Sequence, residues 1–147
     1  MKKIDLALEG LKKGFNCAQA VSSAFSGDFG LKSETVAKMS CALGAGMSRC
    51  GEVCGAVSGA LMVLGLKYGS SVPEDTSSKE RSYQAGIEFK SHFEAKHATV
   101  ICRKLIGTDI STREGLEAAR KKGVFEDICV GIVKDSVNIL EEMLKKQ

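Results

Sequence analysis

Between Val53 and Leu66 the chain runs fourteen residues without a charge, and glycine returns every fourth position at Gly51, Gly55 and Gly59. A membrane span needs about 20 apolar residues, so this stretch predicts a buried core helix instead. With 3.6 residues per turn, the glycines and the neighbouring Ala56 and Ala60 form a face almost without side chains, which lets another backbone approach closely. Each glycine inside a helix costs about 1 kcal/mol against alanine, so packing must compensate. Cys50 and Cys54 lie four apart near the start of this segment, which predicts that they share one side of the helix. The expected fold is all-α: a single domain over residues 1–147, a bundle of about seven or eight helices around this central Gly/Ala-rich helix.

The flanking segments support that reading. Ile4, Ala7, Leu8 and Leu11 have amphipathic spacing and predict a helix over 2–13. Asn16 with Gln19 three residues later forms a capping-box pattern for a second helix reaching about Phe25. Ser33 opens a third, on which Val36, Met39, Leu43 and Met47 are expected to share a face. A polar loop, 67–78, contains the chain's one proline, Pro73. A long polar helix follows to about Lys96, with Tyr83, Ile87, Phe89 and Phe93 as its expected apolar contacts. Thr99, then Ser111 or Thr112, then Asp127 or a neighbour begin three further helices, the last running to about Lys145.

Charge and composition narrow the function. A formal charge of +3 with no long basic run gives no footprint for nucleic acid. The opening MKKIDLALEGLKK places Asp5 and Glu9 where a secretory signal needs an apolar run, which predicts a cytoplasmic protein. Thiols stay reduced there, so six cysteines in 147 residues point to metal binding or redox chemistry and not to a disulfide scaffold.

Four of those cysteines, Cys17, Cys54, Cys102 and Cys129, fall near the N-terminal ends of four expected helices. A helix start offers unpaired N–H groups and about half a positive charge, both of which favour thiolate over thiol. The same field suits an anionic metal–thiolate cluster. Against this stands the ordinary behaviour of a free cysteine, which packs as a small hydrophobe. No close Cys-x-x-Cys pair exists, and Cys50-x-x-x-Cys54 matches no common zinc or haem spacing. His92 and His97, five apart, do not share a helix face and are poorly spaced for one metal. No nucleophile elbow surrounds Ser58, and Gly44-x-Gly46 lacks the strand and helix of a dinucleotide site.

The residues Asn16-Cys17-Ala18-Gln19-Ala20-Val21, Cys54-Gly55-Ala56-Val57-Ser58-Gly59-Ala60-Leu61, Cys102 with Leu105-Ile106-Gly107, and Cys129 with Val133 occur in order along nearly the whole chain. In this pattern the chain resembles the redox-active family labelled C_GCAxxG_C_C. The resemblance implies a redox role resting on the cysteines. Related domains occur in split-Soret cytochromes beside an iron centre, which implies an iron–sulfur cluster or another thiolate-bound metal on Cys17, Cys54, Cys102 and Cys129. Covalent haem is not expected, since Cys-x-x-Cys-His is missing.

Cys50, one expected turn from Cys54, is a possible substitute ligand or resolving thiol, and Cys41 is expected to pack in the third helix. Three readings follow. The cysteines bind a cluster for electron transfer or sensing. Or they cycle between dithiol and disulfide, with Cys54 as nucleophile and Cys17 as its catalytic companion, serving a redox partner protein. Or the chain is an interaction module whose small-residue face packs a second copy as a homodimer.

Overall fold

The computed structural model describes residues 1–146, and most helix boundaries follow the caps written into the chain. Helix α1 (Lys3–Lys12) has Asp5 in its first turn and Lys12 in its last, both favourable to the helix dipole. Helix α2 (Cys17–Ala24) opens on a complete capping box: the Asn16 side chain accepts from the Gln19 N–H at 2.9 Å, and the Gln19 side chain accepts from the Asn16 N–H at 3.1 Å. Helix α3 (Ser33–Ser40) is followed by an irregular turn, α4 (Gly44–Met47). The central helix is α5 (Gly55–Tyr68). Asp75 caps the long α6 (Thr76–His97), and Thr112 caps α8 (Arg113–Lys121), with the short α7 (Cys102–Ile106) between them. A π-helical turn, Phe125–Cys129, leads into α9 (Val130–Lys145). The fold is all-α in a single domain, as the sequence predicts, with no strand among the described residues beyond one isolated antiparallel bridge, Val53 with Ile101.

Helix α5 occupies the centre because both of its faces are dressed for burial. It packs against α2, α6 and α9. Ala56, Val57, Ala60 and Val63 are fully buried, alongside Phe89 and Phe93 of α6 and Val133, Val137 and Leu140 of α9. The buried Ser136 hydroxyl of α9 donates to the Ala56 carbonyl at 2.8 Å, which satisfies a hydroxyl that would otherwise cost free energy in the core. The thin glycine face is taken by α2 of the same chain. A Cβ on Gly59 would stand 2.7 Å from the Ala18 carbonyl oxygen, and one on Gly55 would stand 2.8 Å from the Ala18 nitrogen. The face expected to meet a second copy is therefore filled within the chain.

Four local expectations are corrected. The central helix starts at Gly55 and not near Gly51, because Gly51 has φ +68° and Val53 is drawn into the bridge. Cys50 is consequently outside the helix and exposed. Helix α3 stops at Ser40, so Val36, Ala37 and Ser40 face inward while Met39 and Met47 do not. The 3₁₀ turn that follows leaves Cys41 exposed instead of packed. On α6 the inward row is Ala85, Phe89 and Phe93, whereas Tyr83 and Ile87 point to solvent at 56% and 58% exposure.

The close approach of α2 to α5 predicts opposite outcomes for two glycines of one helix. Gly59→Ala should destabilise the fold by about 1–3 kcal/mol, the usual cost of overpacking a tight core. Gly65→Ala, whose Cβ meets nothing within 4 Å, should stabilise it by up to about 1 kcal/mol. Urea unfolding midpoints of the two variants decide the matter.

Candidate functional site

The caps that start the helices also deliver the cysteines. Cys17 is the first residue of α2, Cys54 the N-cap of α5, and Cys102 the first residue of α7. Cys129 closes the π-helical turn that runs directly into α9. Backbone hydrogen bonds then fasten two of these starts together. The Cys54 N–H donates to the Val100 carbonyl at 2.8 Å and the Cys102 N–H to the Glu52 carbonyl at 2.6 Å. Arg103 adds its backbone N–H and its Nε, both to the Gly51 carbonyl, at 3.1 and 3.2 Å. Cys17 reaches the same place through the missing side chain of Gly55, whose Cβ would stand 3.3 Å from the Cys17 Cβ.

The segment that lays Gly51–Cys54 against this seam is an unusual one. Ala45, Gly46, Met47, Ser48 and Arg49 all have φ between +56° and +69°. A left-handed residue other than glycine costs about 1–2 kcal/mol, and four of these five are not glycine. Surrounding contacts hold the run in place. The Asn16 amide donates to the Cys41 carbonyl at 2.9 Å, the Ser48 hydroxyl to the Ala42 carbonyl at 2.8 Å, and the Glu52 N–H to the Gly46 carbonyl at 2.8 Å. Gly44 must be glycine because any Cβ there would overlap the Asn16 side chain, and a Cβ on Gly46 would stand 2.7 Å from the Cys102 Cβ. Such strain gathers at functional sites, and here it borders two of the cysteines.

The four thiols meet at the seam between two hydrophobic clusters. Cys54 and Cys17 pack with the main core, and Cys102 and Cys129 with a smaller cluster that includes Ile106, Ile110, Ala119 and Val124. Ile128 touches both. Every pair among the four is close enough that ionising one raises the cost of ionising another. The four cysteines, distant in sequence, thus lie along one seam of the fold.

Burial decides their acidity. At Cys54 the loss of water outweighs the N–H groups of Ala56 and Val57 that favour its thiolate, and the pKa rises from 9.0 to about 12. Burial and the neighbouring Cys129 push Cys102 up to about 11, against a smaller opposing pull from Arg103. The helix-start field is thus present at Cys54 but overridden. Cys17 and Cys129 are neighbouring thiols that titrate as a couple. The proton shared with Cys129, together with burial, pushes Cys17 well above an ordinary thiol, and the same sharing lowers Cys129. Of the four thiols, Cys129 is the one shifted downward.

Cys17 and Cys129 also line the wall of an open groove of about 460 Å³. Leu8, Leu11, Phe15, Phe125 and Val130 supply its apolar surface, and Lys12, Lys134 and Glu126 its charges. The sequence carried no signal for this groove. Its walls come from α1, the α1–α2 turn, the π-helical turn and α9, which only packing brings side by side. Cys54 and Cys102 do not line it.

Four sulfur donors suit a soft metal or an iron–sulfur cluster chemically. Their placement here does not: among the described residues no three Cys, His, Asp or Glu side chains are disposed to hold a metal ion. Cys50 is exposed, with its sulfur 3.9 Å from the Ser48 carbonyl oxygen. His97 Nε2 sits 2.9 Å from Asp135 and His92 Nε2 sits 3.6 Å from Glu88, so each imidazole already has a carboxylate neighbour.

The raised pKa values carry a pH dependence. Between about pH 9 and 12 the folded chain keeps protons on Cys54 and Cys102 that an unfolded chain has lost. Their contribution to stability is thus complete below pH 9 and disappears as pH rises through the folded values. Urea midpoints should fall between about pH 8.5 and 10.5 in the wild type, and fall less steeply in Cys54→Ala.

No curated protein matches the chain, and no solved structure does. A family model described as "Putative redox-active protein (C_GCAxxG_C_C)" matches residues 15–143, a span holding all four thiols of the seam. The chain belongs to that redox-active family.

Proposed function

We propose that this chain is a thiol–disulfide redox protein whose working pair is Cys17 and Cys129. One observation carries the reading: Cys17 and Cys129, neighbouring thiols that titrate as a pair, both line an open groove, while Cys54 and Cys102 do not. Cys129 takes the nucleophile's role expected of Cys54, since reactivity needs both thiolate and access. Its thiolate attacks one sulfur of an incoming disulfide, a mixed disulfide forms, and the other sulfur leaves as thiolate. Cys17 then passes its proton to that leaving thiolate and attacks Cys129, closing Cys17–Cys129 and releasing the second thiolate. Two electrons move from the protein dithiol to the incoming disulfide, and the reverse exchange restores the thiols. All six cysteines are free in the structure, which suits a reducing, cytoplasmic setting and a redox partner protein or small thiol as the other half of the exchange.

A second reading, an iron–sulfur cluster or another metal on Cys17, Cys54, Cys102 and Cys129, is favoured by the mutual electrostatic coupling of all four thiols. It requires their side chains to draw closer than they stand.

Mild oxidation followed by peptide mapping separates the two. The thiol reading expects one major disulfide, Cys17–Cys129, lost in Cys17→Ser and in Cys129→Ser, and alkylation of the reduced chain that labels Cys129 well before Cys54. The metal reading expects iron and acid-labile sulfide, or zinc, in anaerobically purified protein. A colourless, metal-free sample that also forms no disulfide would remove both.

A further inference from the structure

The groove beside Cys17 and Cys129 says something about what reaches them. Its volume, about 460 Å³, falls in the range of small-molecule sites, which are apolar with a few placed polar groups. Leu11, Phe15 and Phe125 give it hydrocarbon walls, and Phe15 is 38% exposed, apolar surface left open towards solvent. Two cations, Lys12 and Lys134, line it against one anion, Glu126. Sulfur at the wall, hydrocarbon around it and a net positive margin describe one kind of ligand.

Resting on the thiol–disulfide reading, we infer that the groove binds a small amphipathic anionic thiol or disulfide: a sulfur head against Cys129, an alkyl stem along Phe15 and Phe125, and a carboxylate tail held by Lys12 and Lys134. In the reducing direction a dithiol of this class attacks the Cys17–Cys129 disulfide at Cys129. Cys17 leaves as thiolate and takes up a proton. The ligand's second thiol, giving up its own proton, then closes on the mixed disulfide and frees Cys129. The ligand leaves as a cyclic disulfide, two electrons poorer, and the protein holds two thiols.

The test uses the full-length oxidised protein and two probes, dihydrolipoate and dihydrolipoamide, which share dithiol and stem and differ only in the charge of the tail. Reduction of Cys17–Cys129, followed by quenching and mass spectrometry at low salt, should be about fivefold faster with dihydrolipoate, the scale of a pair of exposed ionic contacts. The double variant Lys12→Gln/Lys134→Gln should remove that preference, bringing the rate with dihydrolipoate down to the rate with dihydrolipoamide. Equal rates for the two probes in the wild type overturn the anion site while leaving the thiol–disulfide function standing. A preference that survives in the double variant also overturns it, because the charge discrimination then lies elsewhere. Failure to form the Cys17–Cys129 disulfide at all removes both the function and the site.

Discussion

The near-contact of α2 and α5 at Gly55 and Gly59 is the constraint from which the rest follows. With the Ala18 backbone lying where a side chain of either glycine would be, the two helices approach more closely than ordinary side chains permit. Cys17, at the start of one helix, is thereby set beside Cys54, at the start of the other. A larger residue at either glycine would push α2 outward and carry Cys17 away from the seam. The motif's glycines and its cysteines are two parts of one device: the first bring the helices together, and the second occupy the junction that results.

A second tie joins the start of α5 to the start of α7. The bridge between Val53 and Ile101, with the hydrogen bonds from Cys54, Cys102 and Arg103 around it, joins segments some fifty residues apart in sequence. It places the start of α7 against the start of α5. The left-handed run Ala45–Arg49 turns the chain into that position at a conformational cost, which the Asn16, Ser48 and Glu52 hydrogen bonds and the surrounding packing offset. Asn16 serves twice, as the cap of α2 and as the donor that holds Cys41 and the turn after it. The cap and the strained loop are thus linked through one side chain adjacent to Cys17.

Gathering thiols in this way creates an electrostatic division of labour. A helix start stabilises a thiolate, yet removal of water disfavours the same charge, and at Cys54 the second effect wins. Mutual repulsion among the four sulfurs opposes charging more than one at a time. The downward shift falls on Cys129, coupled to Cys17 and beside the groove. Cys54 and Cys102, buried and not lining the groove, keep their protons across the ordinary pH range.

Much of this was legible from the order of residues alone. The uncharged glycine-rich stretch determined a buried central helix, because no other element hides so many small apolar residues. Asn16 with Gln19, and Thr112, marked helix starts through local hydrogen bonds that need no partner from elsewhere, whereas Asp75, read as part of the loop, caps α6. The ordered cysteine motifs determined the family and named the four thiols. What tertiary structure alone decided was which thiol is exposed to solvent, which is shielded, and what surface adjoins them. Cys50 left the central helix because Gly51 and the Val53 bridge act together across fifty residues, and Cys54 lost its acidity to neighbours contributed by distant helices. Capping and periodicity are local, carried within a few residues of chain, whereas solvation and charge coupling depend on which distant side chains share the space, and that is settled only when the helices pack.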